Sequence, residues 1–303
     1  MSIRRYVICK MVIGSPARVA SDEREYVACS AAIDGLQHIC DVEEKYENVI
    51  ENYIEWESVI SQHAVEQMVS FSIDYNDYQD SRKAIARKLL NLSASTRLFL
   101  DSLPRHANNI IHDDQTALKQ IKDAPSVQYD TRLSYRLMEA LRNYSQHAAL
   151  PIHGVTVHAF RNMNVEPNTL NFSVWPIINL EQLAEDGDFK KSVLKEISAM
   201  EKVEMKPMVR EYIESISAIH NTFRTATSAK TKTWLEQLHS STEKFASEFP
   251  DEDTLGLAVL PIDDRGLKAG EEVYIAGPME DYLEHMQKKY STMVNFAKRR
   301  IDF

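Results

Sequence analysis

The sequence of 303 residues has few glycines, prolines and cysteines, and it lacks long apolar runs. Only 8 glycines and 10 prolines occur, and the stretch Leu36–His153 contains no glycine at all. An average protein carries roughly 7% glycine, a residue that weakens helices, so this scarcity predicts helix over most of the chain. No segment approaches the ~18–20 apolar residues that a membrane-spanning helix needs, so no membrane partner is expected.

The three cysteines, Cys9, Cys29 and Cys40, form an odd set without CxxC spacing. Such a set indicates neither a disulfide framework nor a zinc ribbon, and it favours free thiols in a reducing compartment. The opening segment MSIRRYVICKMVIGSP places two arginines before an apolar stretch, as secretion signals do. Lys10 interrupts that stretch, however, and no small-residue cleavage site follows, so a cytoplasmic location is expected.

The overall composition excludes several classes of protein. Hydrophobic residues make up 44% and charged residues 26% of the chain, which is typical of a globular protein of one or two domains and excludes disordered and fibrous chains. The net charge is −10, from 35 basic and 45 acidic residues. Such a chain cannot attract nucleic acid through its overall field, so any nucleic-acid site has to be a local basic patch.

Apolar residues recur at helical spacing through most of the chain, and short β-branched and aromatic runs follow residue 150. The predicted helices are Glu23–Leu36, Asp41 (as N-cap) to about Met68, Asp77–Leu103, Arg105–Ile121 (opened by Pro104), Thr131–His147, Asp188–Met200, Lys206–Phe249 and Asp281–Arg300. The predicted strands are Val155–Phe160, Asn171–Ile178, Leu255–Ile262 and Glu272–Ala276. Pro125 and the residues after it predict a loop.

This pattern predicts an α-rich α+β fold in two parts. Residues 1–150 form a helical bundle, and residues 151–303 form a mixed region of further helices and a small antiparallel sheet, packed on the bundle. The second helix carries a run of glutamates that we interpret as a solvated face, which would also suit a basic partner. These glutamates are Glu43, Glu44, Glu47, Glu51, Glu55 and Glu57.

Several kinds of catalytic site are absent from the sequence. It contains no phosphate-binding glycine loop, no dinucleotide-binding fingerprint, no HExxH and no GxSxG motif. His147, His153 and His158 lie near one another in the chain, but no carboxylate falls among them. Neither a metal nor a cofactor is therefore predicted.

The segment Arg142-Asn143-Tyr144-Ser145-Gln146-His147 closes a predicted helix inside a basic neighbourhood. Residues 131–161 carry four arginines and three histidines against the single acid Glu139. On an ideal helix Asn143 and His147 share a face, and Arg142 lies about 100° away, within reach of its long side chain. A purely structural interpretation is also open: the basic residues at this helix C-terminus satisfy the last carbonyl groups and complement the helix dipole.

The same residue types are suited to cleaving RNA without a metal. A neutral imidazole takes a proton from a ribose 2′-hydroxyl or donates one to the leaving oxygen, because its pKa lies near physiological pH. A guanidinium holds the phosphate and the negative charge that develops on it.

The stretch RLMEALRNYSQHAALPIHG resembles the signature of the HEPN superfamily, helical proteins in which an Arg-x4-6-His motif marks metal-independent ribonucleases. DVEEKYENVIENYIEWES and ARKLLNLSASTRLFLDS also resemble helices of uncharacterised bacterial proteins with this motif. The resemblance covers roughly residues 40–150. It implies a HEPN-type bundle and a homodimer in which two motifs form one composite site, often within a toxin–antitoxin or antiviral defence system.

Carried over by this resemblance, Arg142 holds phosphate, Asn143 positions it and His147 acts as acid or base, with cleavage leaving a 2′,3′-cyclic phosphate. One branch of the family is silenced by modification of a tyrosine two residues after the histidine. Ala149 stands at that position here, so this regulation is not expected. An antitoxin or defence protein is the further partner that the resemblance suggests.

Residues around the motif complete the predicted site. We predict that Arg136, His153 and Arg161 contribute to RNA binding, and Arg105-x6-His112 is a second, poorer match. Four aromatic residues could stack on bases but more often belong to a core. They are Tyr135, Tyr144, Phe160 and Trp175.

The alternative function is a non-catalytic HEPN-like module that dimerises or binds a partner protein or RNA.

Overall fold

The structure is a computed structural model that describes residues 5–12, 16–70, 74–163, 167–200, 203–290 and 295–299. It confirms an α-rich α+β fold with small antiparallel sheets. The helices are α1 (Glu23–Ser70), α2 (Tyr75–Ile111), α3 (Gln115–Thr131), α4 (Leu133–His147), α5 (Leu180–Glu185), α6 (Lys191–Ser198), α7 (Met205–Glu248) and α8 (Met279–Lys289), and a 3-10 turn spans Phe296–Lys298. The strands are β1 (Arg5–Lys10), β2 (Arg18–Ser21), β3 (Gly154–Asn162), β4 (Thr169–Ile177), β5 (Leu257–Ile262) and β6 (Val273–Tyr274).

The chain divides into two compact units, each built from separated segments. The first unit comprises the described residues within Met1–Glu44, Leu103–Gln120 and Phe223–Ser291. The second unit comprises those within Lys45–Ser102, Ile121–Thr222 and Thr292–Phe303.

The strands form two sheets rather than the single four-stranded sheet that we predicted. In the first unit the order is β2-β1-β5-β6, all antiparallel, and β1 pairs with β5 from Arg5 opposite Ile262 to Lys10 opposite Leu257. In the second unit β3 and β4 form a separate antiparallel pair. The β1 and β2 strands were not predicted, because their few residues carry too short a pattern to indicate a strand until β5 supplies a partner.

α1 and α2 are longer than predicted, because packing overrides local breaking signals. α1 runs without interruption through Asp41, so this residue is no N-cap, and its carboxylate accepts a hydrogen bond from Gln37 Nε2 at 3.1 Å. Pro104 lies inside α2 and does not open a new helix. The buried stripe of Leu103, Ala107 and Ile110 continues across it, and this burial outweighs one missing backbone hydrogen bond.

Other boundaries also differ from the prediction. Pro125 lies inside α3, so the predicted loop is wrong, and the break falls earlier, where the Asp114 carboxylate accepts a hydrogen bond from the backbone N–H of Ala117 at 2.9 Å. α5 was not predicted, and Asn179 caps it. α8 ends at Lys289 rather than at Arg300, and residues 291–294 and 300 of that predicted helix lie outside the described residues.

The acidic run on α1 is only partly a solvated face. Glu44, Glu51 and Glu55 are exposed, as predicted, but Glu43 and Glu57 are buried. These two carboxylates follow the helical stripe that also buries the apolar core. Each is neutralised by an arginine of α7, Glu43 by Arg224 and Glu57 by Arg210.

Candidate functional site

The motif occupies the last turns of α4, in the second unit. α4 buries one side, including Tyr135, Leu141 and Tyr144, and thereby leaves Asn143 and His147 exposed on another. The helix ends at His147, where the backbone N–H of Ala148 donates to the carbonyl of Tyr144 at 2.8 Å. The buried stripe therefore decides which polar side chains of the motif reach solvent.

A cleft of about 310 Å³ opens beside this end of α4. Of the predicted site residues, Arg136, Asn143 and His147 line it. Tyr129 of α3, Ala140 and Tyr144 of α4, and Phe189 contribute the less polar part of its wall. Its charged lining is mixed, with two cations, Arg136 and Lys190, and three acids, Glu139, Asp186 and Asp188.

Arg142 does not line the cleft, but it contacts a residue that does. Its Nη2 donates a hydrogen bond to the Oδ1 of Asn143 at 2.9 Å, and its Nε lies 3.9 Å from a carboxylate oxygen of Glu139. The guanidinium therefore occupies the amide oxygen of Asn143, which is one of the residues that line the cleft. Arg142 thus lies beside two residues of the cleft, Asn143 and Glu139.

Arg136 is held by protein groups. One Nη atom donates to the backbone carbonyls of Tyr129 and Asp130 at 2.8 and 3.2 Å, and the other pairs with Glu196 at 2.6 Å. It thus satisfies carbonyl groups at the end of α3 and ties α4 to α6. This role is structural, although the side chain also reaches the cleft wall.

The basic neighbourhood of the sequence is largely neutralised in three dimensions. Arg132 lies 3.3 Å from Glu214 and 3.6 Å from Glu211 of α7, while Arg136 and Arg142 have the acidic neighbours given above. Only Arg161, exposed near the end of β3, pairs with no acid among the described residues, and it does not line the cleft. The composition of residues 131–161 does not show this, because the acids that pair with Arg132 and Arg136 are distant in sequence.

His153 lies next to the cleft wall rather than in the cleft. Its Nδ1 accepts a hydrogen bond from the backbone N–H of Asn179 at 3.0 Å, and its Nε2 lies 3.2 Å from the hydroxyl of Tyr144. Burial, and to a lesser degree the charge of Arg82, lowers the pKa of His153 below its usual 6.5. The ring is therefore a neutral structural group that joins the end of α4 to the start of α5.

The aromatic residues divide as core and surface. Tyr135 and Tyr144 are buried, as the core interpretation predicts, whereas Phe160 is exposed. Trp175 of β4 is half-buried, with its indole N–H bonded to Ser173 Oγ at 2.9 Å and its ring against His158. Trp175 and His158 are not among the residues of the cleft.

Arg105 and His112, the second motif match, belong to the first unit. Both are exposed, Arg105 inside α2 and His112 just after its end, and no cleft described for this unit includes either residue.

One group of side chains has the spacing of metal ligands, and it does not include the three histidines that the sequence analysis considered. His147, His153 and His158 form no such group, and over the described residues the one set with suitable spacing is His38, Asp41 and His106 of the first unit. Sequence reasoning missed it. The available signal was a pair of i, i+3 polar motifs, His38-x2-Asp41 and His106-x2-Asn109, in two otherwise amphipathic helices.

Comparison with protein-family models, curated proteins and solved structures finds no match for this chain. The HEPN relationship therefore stays a prediction that rests on the residues of α4.

In the described part of the chain, no helix combines the length and apolar character that crossing a bilayer requires.

Proposed function

We propose that this chain is a metal-independent endoribonuclease of the HEPN type, with its site in the cleft at the end of α4. One observation carries the proposal. Asn143 and His147 present exposed side chains to the same cleft, and Arg142 is hydrogen-bonded to Asn143. Two residues of the motif therefore lie at the cleft, and the third contacts one of them.

The chemistry follows from these groups. His147, as a neutral imidazole, takes the proton of a ribose 2′-hydroxyl, and the 2′-oxygen attacks the adjacent phosphorus. The bond from phosphorus to the 5′-oxygen breaks, that oxygen receives a proton, and a 2′,3′-cyclic phosphate remains. Asn143, oriented by Arg142, and Lys190 donate hydrogen bonds to the phosphate oxygens as negative charge develops.

A homodimer would supply the second proton-transfer group of this scheme. The second motif, brought to the same phosphate, provides the acid that protonates the 5′-oxygen. We therefore expect light scattering of the purified protein to give twice the monomer mass, which is 34.8 kDa for one chain. A monomer at the concentrations of the cleavage assay would contradict the composite site.

The decisive experiment is RNA cleavage in EDTA by wild-type protein, His147→Ala and Arg142→Ala, with the product ends analysed. His112→Ala is the matched control, because it removes another exposed histidine that follows an arginine at the end of a helix. Loss of a general acid–base group lowers rates by about 10²–10⁴-fold, so we expect that loss for His147→Ala and none for His112→Ala. Equal cleavage by wild type and folded His147→Ala would refute the assignment.

A role in toxin–antitoxin or antiviral systems is tested separately in cells. Induced wild-type protein should arrest bacterial growth, and His147→Ala expressed to the same level should not. Equal growth with both proteins would argue against a toxin.

A second candidate, a non-catalytic partner-binding module, is favoured by a different observation. Arg132 and Arg136 are paired with carboxylates of the chain, and Glu139, Asp186 and Asp188 give the cleft negative charge that opposes phosphate. RNA binding measured over a range of salt separates the candidates. A ribonuclease site should bind RNA at low salt and weaken steeply as salt rises, because phosphate contacts release counterions, whereas a protein-binding module should not bind.

A further inference from the structure

Two histidines and an aspartate lie close together in the first unit. The proposed RNA chemistry uses none of these three residues. His38 and Asp41 are one turn apart on α1, and His106 belongs to α2. The Nδ1 atoms of His38 and His106 lie 3.3 Å apart, and each lies 3.9 Å from Oδ2 of Asp41.

These three atoms have the spacing of metal ligands. A point equidistant from the corners of a triangle with edges of 3.3, 3.9 and 3.9 Å is about 2.2 Å from each corner. Zinc is bound by histidine nitrogen at about 2.0–2.1 Å and by carboxylate oxygen at about 2.0–2.2 Å. An ion at the centre of the triangle therefore fits with adjustments of a few tenths of an ångström.

The cluster is buried on the side of His106 and open to water on the side of His38 and Asp41. The His106 side chain is 1% exposed, whereas those of His38 and Asp41 are 31% and 32% exposed, so water has access to the cluster. The side-chain amide of Asn109 lies 3.0 Å from Nε2 of His38, and Gln37 Nε2 donates to Oδ1 of Asp41 at 3.1 Å. Such outer partners fix the orientation of ligating side chains.

Metal binding through Nδ1 of His38 sets the tautomer of that ring, and the neighbouring Asn109 amide, whose Nδ2 lies 3.0 Å from Nε2, has to match it. When Nδ1 binds a metal, Nε2 carries the proton, and the amide oxygen of Asn109 can accept a hydrogen bond from this N–H group. The oxygen and nitrogen of an asparagine amide are near-isosteric, so this needs only a flip of the Asn109 side chain.

We propose that His38, Asp41 and His106 bind a divalent transition-metal ion of the Zn²⁺ class, with at least one coordination position left to water. Two imidazoles and one carboxylate favour such an ion over Mg²⁺ and Ca²⁺, which prefer oxygen ligands. The ion links α1 to α2 within the first unit.

The test is Zn²⁺ binding by the full-length, untagged protein, measured by calorimetry and by metal content after dialysis. We expect about one Zn²⁺ per chain, and a Tm raised by roughly 5 °C when free Zn²⁺ exceeds Kd about a hundredfold. Visible absorption of bound Co²⁺ reports the coordination directly. Binding should weaken at pH 5.5, because protons compete for the histidine nitrogens.

Three variants make the test specific. Asp41→Asn and His38→Ala alter partly exposed ligands and should lower affinity at least tenfold and abolish the Co²⁺ bands. His239→Ala is the matched control, since His239 forms an ordinary histidine–carboxylate pair with Glu280 at 2.6 Å in the same unit. Its affinity should equal that of wild type.

Absence of stoichiometric binding by wild type, or unchanged affinity in Asp41→Asn, would overturn the metal site. In that case the short contact between the two histidines is a hydrogen bond in which one ring donates to the other. Because RNA cleavage is expected to persist in EDTA, failure of the metal site and failure of the proposed ribonuclease are separate results.

Discussion

At the scale of single residues, two ion pairs with buried carboxylates stand out. Arg210 holds Glu57 with two hydrogen bonds of 2.6 and 3.0 Å, and Arg224 holds Glu43 with bonds of 2.8 and 2.6 Å. The Tyr53 hydroxyl also donates to Glu57 at 2.6 Å, and Arg210 reaches a backbone carbonyl at Arg299. Burial alone would lower the pKa of Arg210, but the hydrogen bond and charge of Glu57 outweigh it and raise that pKa.

Breaking the first pair should be costly. Arg210→Ala leaves the Glu57 carboxylate buried without its cation, and such a loss costs about 3–5 kcal/mol of the free energy of unfolding. Denaturant titration of Arg210→Ala, and of an Arg210→Met/Glu57→Leu double variant, measures this. The double variant should be much closer to wild type, because no unpaired charge remains. Equal destabilisation in both would show that packing, rather than charge, carries the effect.

The lowered pKa of His153 predicts a pH dependence of stability. A histidine whose pKa is lower in the folded than in the unfolded state opposes folding once protonated. The stabilisation that the neutral ring provides is fully present above about pH 6.5. It is lost as the pH falls from there toward the pKa of His153 in the folded protein. The fall in unfolding free energy between pH 7.5 and pH 5.5 should therefore be smaller in His153→Gln than in wild type. An identical fall would assign the pH dependence to other groups.

At the scale of elements, a glycine sets how closely two long helices approach in the first unit. Gly35 lies inside α1, and a Cβ there would overlap the ring of Trp234 on α7. Trp234 is itself buried. A glycine inside a helix normally weakens it, so this position is explained by packing and not by helix propensity.

We therefore expect Gly35→Ala to destabilise the protein by about 1–3 kcal/mol, although alanine favours an isolated helix by about 1 kcal/mol. Thermal or denaturant unfolding measures the change. In a Trp234→Ala background the same substitution should be neutral or stabilising, because the clash is gone. A destabilisation of equal size in both backgrounds would contradict the packing explanation.

At the scale of the whole molecule, each compact unit combines segments from both halves of the chain. β1 needs β5 in the first unit, and Glu57 needs Arg210 in the second. The predicted boundary at residue 150 separates these partners.

A fragment of residues 1–150 should consequently lack a cooperative fold. It would retain Glu43 and Glu57 without their arginines, at about 3–5 kcal/mol for each carboxylate that stays buried. That loss rivals the whole stability of a typical domain, about 5–15 kcal/mol. Circular dichroism should show helix that melts gradually. A sharp two-state transition would instead support an independent domain over residues 1–150.

The candidate site shows how far sequence reasoning reaches. The 3.6-residue apolar period of α4 predicted its length to within two residues at the start, its end at His147 and the shared face of Asn143 and His147. Three contacts were not predictable from the sequence. They are the ion pairs of Arg136 with Glu196 and of Arg132 with Glu214, and the cluster of His38 with His106. Each depends on residues at least 60 positions apart.

By itself, the sequence determined the helical class, most helix faces and the hairpin-like strand pairs, because these depend on the periodicity of neighbouring residues. Only the tertiary structure decided that Pro104 and Pro125 stay inside helices, that β1 joins β5, and that Glu43 and Glu57 are buried. The physical reason is that burial and charge pairing between distant segments outweigh a broken backbone hydrogen bond or a charged side chain's preference for water. The pattern of neighbouring residues does not indicate which distant residue a buried strand or charge pairs with.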